Sequence, residues 1–167
     1  QQGNRNGSIW ARGQAWGIYG IALSYRYLKT PEYLDLFCQV TDYFIAHLPE
    51  DLVPYWDFDF DTGSTEPRDS SASAIAICGI LEMSSYLDKA KAEKYLTAAD
   101  KMLCALMDHC SNTDKTRSNG LLLHGTYARD SAYNTCINRG VDECSTWGDY
   151  FYMEALTRRM KDWKPYW

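Results

Sequence analysis

The sequence lacks two features that would place it in common binding classes. It has no block of lysine and arginine and no apolar run long enough to span a membrane. Its net charge is −5 over 167 residues. Non-specific nucleic-acid binding depends on a concentrated positive charge, and membrane insertion depends on about 20 consecutive apolar residues. We therefore expect neither nucleic acid nor a membrane as a partner.

The six cysteines also lack the spacings that mark metal sites or redox motifs. No two of them form a CxxC pair, and no cysteine–histidine spacing is typical of zinc. Free thiols in a reducing compartment are the favoured interpretation, with a zinc site or a disulfide framework as the alternative. We predict no metal and no cofactor, and a cytoplasmic location. The cysteines are Cys38, Cys78, Cys104, Cys110, Cys136 and Cys144.

Aromatic residues, by contrast, are abundant. They make up 14% of the chain, with 13 tyrosines and 6 tryptophans. Such a surplus can fill a large core, and it can also line a groove that stacks on sugar rings or bases.

Hydrophobic periodicity predicts an all-α fold in which two kinds of helix alternate. Residues 15–28 and 72–87 are apolar on nearly all sides, which is typical of buried helices. Residues 32–47 and 90–110 carry their apolar side chains on one face, which is typical of outer helices. A last helix begins near residue 146. Buried inner helices surrounded by amphipathic outer helices fit an α/α toroid, whose loops at one end form a substrate bowl.

Small residues and acids in this pattern have simple structural interpretations. Gly13, Gly17 and Gly20 share one helix face, so we expect a neighbouring helix to approach closely there. We interpret Asp69 and Asp149 as helix N-terminal caps or dipole partners. The acids of the WDFDFD segment, residues 56–61, are expected to be solvated loop residues.

Several blocks of the sequence resemble a known family. They read WARGQAWGIYG, PEYL, LPEDLVPYWDF, PRDSSASAIA and STWGDYFYMEAL, in that order along nearly the whole chain. They resemble the C-terminal half of unsaturated glucuronyl hydrolases, glycoside hydrolase family 88. The related unsaturated rhamnogalacturonyl hydrolases usually have RGNGW at the first block, so Gln14 and Ala15 favour the glucuronyl branch.

The resemblance implies a fold and a domain organisation. The fold is an (α/α)6 barrel, and residues 1–167 would form about the C-terminal half of one catalytic domain, with three of its six helical hairpins. The N-terminal half of that domain, absent from this sequence, would be the chain's partner.

The resemblance also implies an activity. It is removal of the unsaturated uronic acid from the non-reducing end of oligosaccharides made by polysaccharide lyases. An aspartic acid protonates C4 of the C4=C5 double bond, water adds at C5, and the hemiketal opens. That general acid lies upstream of the RGQAW block, so no catalytic residue is expected within this chain, and the chain alone should be inactive.

Four residues match substrate-contacting positions of the family. Arg12 and Trp16 lie one helical turn apart, so Arg12 can offer its fork to a carboxylate while Trp16 stacks on a sugar ring. Gln2 matches a sugar-contacting glutamine, and Tyr127 an aromatic residue of the bowl. The alternative for each is structural: a loop-capping arginine, a core tryptophan, a disordered terminus and a surface tyrosine. Trp10 and Trp147 either line the same bowl or pack in the core.

Two other functions stay open at this stage. One is the rhamnogalacturonyl branch, which differs in substrate. The other is a non-catalytic helical module that binds carbohydrate. The sequence does not determine which glycan is bound.

Overall fold

The computed structural model describes residues 1–116 and 118–164, which form five α-helices joined by two long loops. The all-α prediction is confirmed. The helices are α1 (Ala11–Leu28), α2 (Glu32–Ala46), α3 (Ser70–Met83), α4 (Lys89–His109) and α5 (Thr146–Met160), with one 3-10 turn, Ser84–Tyr86, after α3. They make two inner–outer pairs and a third inner helix, rather than the three complete hairpins that we expected.

The centre of the structure is α3. It packs against α1 on one side, α5 on the other and α4 behind. Its residues are small and apolar around the whole circumference, and all of them except Leu81 are buried. The prediction of a helix buried on every side is confirmed for α3.

Helix α1 is less enclosed than its composition predicts. Its buried residues form one stripe that faces α3 and includes Ala11, Ala15 and Ile18. Outside that stripe, Trp16 is 37% exposed and Gly20 is also exposed. All-round burial is therefore not seen for α1 within this chain, because among the described helices it packs chiefly against α2 and α3. Partial exposure of this helix is what we expect if the chain is part of a larger barrel.

The outer helices behave as their amphipathic patterns predict. Helix α2 buries Phe37, Thr41 and Phe44 against the inner layer, and α4 buries one face that includes Tyr95. The rings of Phe37 and Tyr95 meet edge to face with centroids 5.7 Å apart, which joins the two outer helices.

The three inner helices run in the same direction. At one end, Arg12 in the first turn of α1 contacts Asp69 at the start of α3, and Trp147 in the first turn of α5 donates to Ser71. At the other end, the last turns of all three helices meet at Glu82, which pairs with Arg26 and Arg158. The two long loops cover the end with the helix N-termini.

The close approach between inner helices depends on a glycine other than those we expected. Nothing lies within 4 Å of a side-chain carbon placed on Gly20, and on Gly17 only Val40 does, at an ordinary 3.8 Å. At Gly79 of α3, the same carbon would lie 2.8 Å from the backbone Cα and N of Tyr19. A side-chain carbon on Gly13 would lie 2.7 Å from the ring of Trp10, which does not belong to a neighbouring helix. The prediction for the Gly13–Gly17–Gly20 face is wrong, because α1 approaches α3 at the backbone of Ile18 and Tyr19 instead.

We predict that Gly79→Ala destabilises the protein by about 1–3 kcal/mol, since backbone cannot move aside as a flexible side chain does. Gly20→Ala is the matched control. It adds the same methyl group into open space and removes a poor helix former, so it should raise stability by up to about 1 kcal/mol. Denaturant unfolding measures both changes. Equal effects of the two substitutions would contradict this packing interpretation.

Candidate functional site

Arg12 lies at the centre of one end of the structure, the end at which the three inner helices begin. It lies in the first turn of α1, yet its side chain is only 3% exposed. A buried guanidinium requires a counter-charge and acceptors for its N–H groups. Nη1 donates to Asp69 Oδ2 at 2.8 Å and to the carbonyl of Thr126 at 2.6 Å. Nη2 donates to the carbonyl of Tyr127, also at 2.6 Å.

Asp69 is the buried partner of this arginine. Its side chain is fully buried and accepts from the Ser71 hydroxyl at 2.5 Å and from the backbone N–H of Thr126 at 3.5 Å. Burial lowers the pKa of Arg12 and raises the pKa of Asp69, while the attraction between the two charges opposes both shifts. Asp69 occupies the N-cap position of α3, as expected, but its carboxylate does not cap the helix.

Three aromatic rings surround the Arg12 guanidinium. Its central carbon lies 4.7 Å from the ring centroid of Trp10, 5.3 Å from that of Trp147 and 6.0 Å from that of Tyr127. These distances are within or at the limit of cation–π attraction. The arginine therefore holds together one aromatic residue from before α1, one from α5 and one from the loop between α4 and α5.

A cavity of about 370 Å³ opens beside these rings. Tyr127 and Trp147 line it, with ring centroids 5.6 Å apart and planes tilted by 54°. Gly125, Gly140 and the segment 144–146 form the rest of its wall. Tyr127 is 42% exposed, so its ring is open to a ligand. Aromatic faces of this kind suit the apolar face of a sugar ring.

Two backbone pairings hold Tyr127 in place. The segments on either side of the loop tip run antiparallel, with Gly125 and Glu143 exchanging hydrogen bonds at 2.8 Å and Ala128 and Arg139 at 3.0 Å. Between them, the Tyr127 N–H donates to the carbonyl of Gly140 at 2.8 Å.

Trp16 lies one turn further along α1, in a second group of rings. Its ring meets Phe151 of α5 edge to face at 5.3 Å, and Phe151 also meets Tyr19 and Tyr150. The Trp16 ring therefore contacts Phe151 on one side, and 37% of the residue's surface is exposed. Its position on the same helix side as Arg12 agrees with the sequence prediction.

Gln2 belongs to the N-terminal segment, which lies against the loop that follows Tyr127. Asn134 Nδ2 donates to the carbonyl of Gly3 at 3.1 Å, and the Ser131 hydroxyl donates to the carbonyl of Asn4 at 2.5 Å. The Oε1 atom of Gln2 is buried and has no hydrogen-bond partner within the described residues. Buried polar atoms in folded proteins are nearly always paired, so this oxygen is a candidate for a partner outside the described residues.

The structure thus brings Arg12 and Tyr127 into direct contact and places Trp16 one turn away. No contact joins Gln2 to these three in the described part of the chain. The predicted substrate-contacting roles stay predictions. The fork of Arg12, which we expected to meet a substrate carboxylate, is here occupied by Asp69 and two carbonyl groups.

Sequence reasoning missed the structural importance of two aspartates. The sequence pattern favours Asp69 as a helix N-terminal cap or dipole partner, although an arginine at the start of an apolar helix also indicates a buried acid nearby. Asp57 is also fully buried, so the expectation of a solvated residue is wrong for it. Its carboxylate accepts from the backbone N–H of Asn4 at 2.8 Å and from the Ser8 hydroxyl at 2.8 Å, which fixes the N-terminal segment.

Asp149 lies in the first turn of α5, where its charge favours the helix dipole, in agreement with the expected dipole partner. It does not cap the helix, and its carboxylate contacts the preceding loop. Its Oδ1 accepts from the backbone N–H groups of Leu121 and Leu122, both at 2.9 Å. The cap of α5 is Ser145, whose hydroxyl accepts from the N–H of Gly148.

No protein-family model matches the chain, but individual proteins match it over its whole length. It is 51% identical to an unsaturated chondroitin disaccharide hydrolase of Streptococcus pyogenes serotype M1, covering all of this chain and 41% of that protein. It is 41% identical to an unsaturated glucuronyl hydrolase of Bacillus sp. (strain GL1), covering 99% of this chain and 43% of that protein.

A solved structure agrees with these relatives. The chain superposes with a TM-score of 0.92 on a variant unsaturated glucuronyl hydrolase from Streptococcus agalactiae in complex with dGlcA-GalNAc6S, at 49% identity. The match covers all of this chain and 43% of that one. The chain therefore spans about two-fifths of the length of the relatives that it matches.

We call the cavity beside Tyr127 and Trp147, with the ring of Trp10, the bowl. Parallel inner helices backed by outer helices, with this bowl at their N-termini, make the chain part of an α/α barrel. The chain belongs with the unsaturated glucuronyl hydrolases, which have an (α/α)6 barrel, and it corresponds to their C-terminal part. The predicted family and fold class are confirmed. Within the described residues, no helix has the length and apolar character needed to cross a bilayer.

We predict that Asp69→Asn destabilises the protein by about 3–5 kcal/mol, because it leaves the Arg12 charge buried without a counter-charge. Asp88→Asn is the matched control. Asp88 is an exposed N-cap of α4, and asparagine caps equally well, so stability should not change. Denaturant unfolding of the two variants measures the difference, and a loss of the same size in both would contradict the role of the buried pair.

Proposed function

We propose that the protein to which this chain belongs removes the unsaturated (4,5-dehydro) uronic acid from the non-reducing end of lyase-generated oligosaccharides. The observation that carries the proposal is the match over the whole chain to a protein named unsaturated chondroitin disaccharide hydrolase. The exposed ring of Tyr127 beside Trp147 supports it, since these side chains suit a sugar.

The proposed reaction is a hydration of the C4=C5 double bond. A carboxylic acid donates its proton to C4, water adds its oxygen to C5 and returns a proton to a base, and the resulting hemiketal opens with release of the remaining saccharide. General acid catalysis of this kind requires a carboxyl group that is free to donate its proton.

Neither buried aspartate of this chain suits that acid. Asp69 is paired with Arg12 at 2.8 Å, and Asp57 accepts hydrogen bonds from the backbone and from Ser8. Both carboxylates are fully buried and already occupied by these partners, so neither is free to meet a substrate. We therefore propose that the general acid comes from the remainder of the domain, and that this chain contributes substrate binding.

We assign binding roles to the four predicted residues. Tyr127 and Trp16 offer partly exposed aromatic faces, and Gln2 carries a buried acceptor that has no hydrogen-bond partner among the described residues. Arg12 would act mainly by holding the bowl in shape, with its positive charge close to the cavity that a uronate enters. A direct fork to the uronate carboxylate would require Arg12 to release the carbonyl of Thr126 or Tyr127.

The substrate that we favour is an unsaturated chondroitin disaccharide, because the S. pyogenes relative carries that name and the S. agalactiae structure holds dGlcA-GalNAc6S. The proposed partner is the remaining part of the same barrel. We also propose a cytoplasmic location, since all six cysteines are free thiols in the structure.

A turnover assay on the complete protein tests the proposed function. We predict that it consumes dGlcA-GalNAc6S with loss of the ultraviolet absorbance of the C4=C5 double bond, and that the 167-residue chain alone does not. A complete protein that binds the disaccharide but leaves its absorbance unchanged would contradict the proposal and favour a non-catalytic binding module. Faster turnover of an unsaturated rhamnogalacturonan disaccharide than of dGlcA-GalNAc6S would favour the rhamnogalacturonyl branch.

A second prediction concerns the shielded acceptor of Gln2. Gln2→Ala removes one hydrogen bond to the substrate and should lower kcat/KM of the complete protein by about tenfold, equivalent to about 1.4 kcal/mol. Gln1→Ala is the matched control, since Gln1 is exposed and its side chain forms no hydrogen bond among the described residues. An unchanged kcat/KM in Gln2→Ala, or an equal loss in Gln1→Ala, would show that Gln2 does not contact substrate.

A further inference from the structure

An ion pair joins the two long loops beside the bowl. Arg129 lies two residues after Tyr127 in the loop between α4 and α5, and Glu66 belongs to the loop between α2 and α3. Arg129 Nε donates to Glu66 Oε2 at 3.0 Å, and Nη2 donates to Glu66 Oε1 at 3.2 Å. Two bonds of this kind fix the orientation of a guanidinium against a carboxylate, which a single bond does not do.

Glu66 is attached to the core at the start of α1. Its Oε2 atom also accepts from Trp56 Nε1 at 3.0 Å, and Trp56 is only 2% exposed. The carbonyl of Trp56 accepts in turn from the N–H of Ala11, the first residue of α1, at 3.0 Å. The carboxylate that meets Arg129 is therefore tied to the same end of α1 that carries Arg12.

Tyr127 lies between two anchors in its loop. Its own carbonyl accepts from Arg12 Nη2 at 2.6 Å. Two residues further on, Arg129 is held by Glu66 and also donates from Nη1 to Asn138 Oδ1, across the loop, at 3.2 Å. Because the backbone is held on both sides of Tyr127, its partly exposed ring is already in place when a sugar arrives, which reduces the entropy lost on binding.

The pair between Glu66 and Arg129 is only partly shielded from water. The two side chains are 26% and 29% exposed. The hydrogen bond from Arg129 lowers the pKa of Glu66, and the same bond raises the pKa of Arg129, while burial opposes both shifts. Partly exposed ion pairs contribute little to the stability of a whole fold. The main effect of this pair is therefore on the geometry of the loop that it holds.

From these contacts we propose that Glu66 and Arg129 are positioning residues of the bowl, which act by holding the ring of Tyr127 where the sugar binds. Neither residue lines the cavity beside Tyr127, so neither is expected to touch the substrate. The inference rests on the proposed function, because it takes Tyr127 as a substrate contact. It adds the requirement that the two long loops be joined for the bowl to bind its sugar tightly.

Steady-state kinetics of the complete protein with dGlcA-GalNAc6S test the proposal. Arg129→Lys keeps the positive charge and loses the two-pronged contact. We expect it to raise KM by about fivefold and to leave kcat within about twofold of the wild type, as for a loss of uniform substrate binding. Glu66→Gln, which removes the carboxylate, should do the same. Arg159→Lys is the matched control, since Arg159 pairs with Asp100 at the opposite end of α5 from the bowl, and its KM should not change.

A double-mutant cycle separates positioning from a purely structural role. Tyr127→Ala should itself raise KM. In that background Arg129→Lys should add little, because the ring through which the pair acts has been removed. Fully additive effects would overturn the proposal. It is also overturned by a wild-type KM in Arg129→Lys, Glu66→Gln or Tyr127→Ala, or by an equal rise in Arg159→Lys.

Failure of this proposal is distinguishable from failure of the proposed function. A wild-type protein that binds the disaccharide without turnover contradicts the hydrolase function alone, and the dissociation constant then replaces KM in the same comparisons. A wild-type protein that turns the disaccharide over, with variants that keep its KM, contradicts the positioning role alone. A wild-type protein that does not bind the disaccharide contradicts both.

Discussion

The buried ion pair between Arg12 and Asp69 is the interaction on which the bowl end of the structure depends. It joins the first turn of α1 to the start of α3, and through the carbonyls of Thr126 and Tyr127 it joins both to the loop before α5. Neither charge can be removed alone without leaving the other buried and unpaired. The pair therefore specifies one arrangement of three chain segments that are more than 50 residues apart in sequence.

The aromatic lining follows from the same pair. A guanidinium held in a fixed plane by three acceptors presents its faces to Trp10, Trp147 and Tyr127, so these rings keep their places around it. Ser71 extends the network, since it donates to Asp69 and accepts from Trp147 Nε1 at 3.2 Å. A ligand that enters the bowl thus meets side chains whose positions are already determined, which lowers the entropy lost on binding.

Much of the fold could be predicted from the sequence, because apolar periodicity reports directly on which face of a helix is buried. The fully apolar α3 and the one-sided α2 both follow this rule. The rule fails for α1, where the composition does not reveal how many neighbours the helix has. Apolar periodicity also cannot identify which glycine allows two helices to approach closely, since the requirement at Gly79 comes from the backbone of Tyr19 on another helix.

For a related reason, the arrangement of the candidate site could be predicted only in part from the sequence. Motifs identify residue types that suit a sugar, such as Trp16 and Tyr127, but they do not reveal which partners a side chain meets after folding. Arg12 was expected to face a ligand carboxylate, and its nearest carboxylate is instead Asp69, 57 residues along the chain.

Amide hydrogen exchange of the Arg12→Gln variant tests the central role of the ion pair most directly. If the pair organises the bowl, protection should fall in residues 68–72, in residues 122–128 and in the first turn of α5, while α2 and α4 stay as in the wild type. An equal loss of protection in all five helices, or no loss in residues 122–128, would contradict this account.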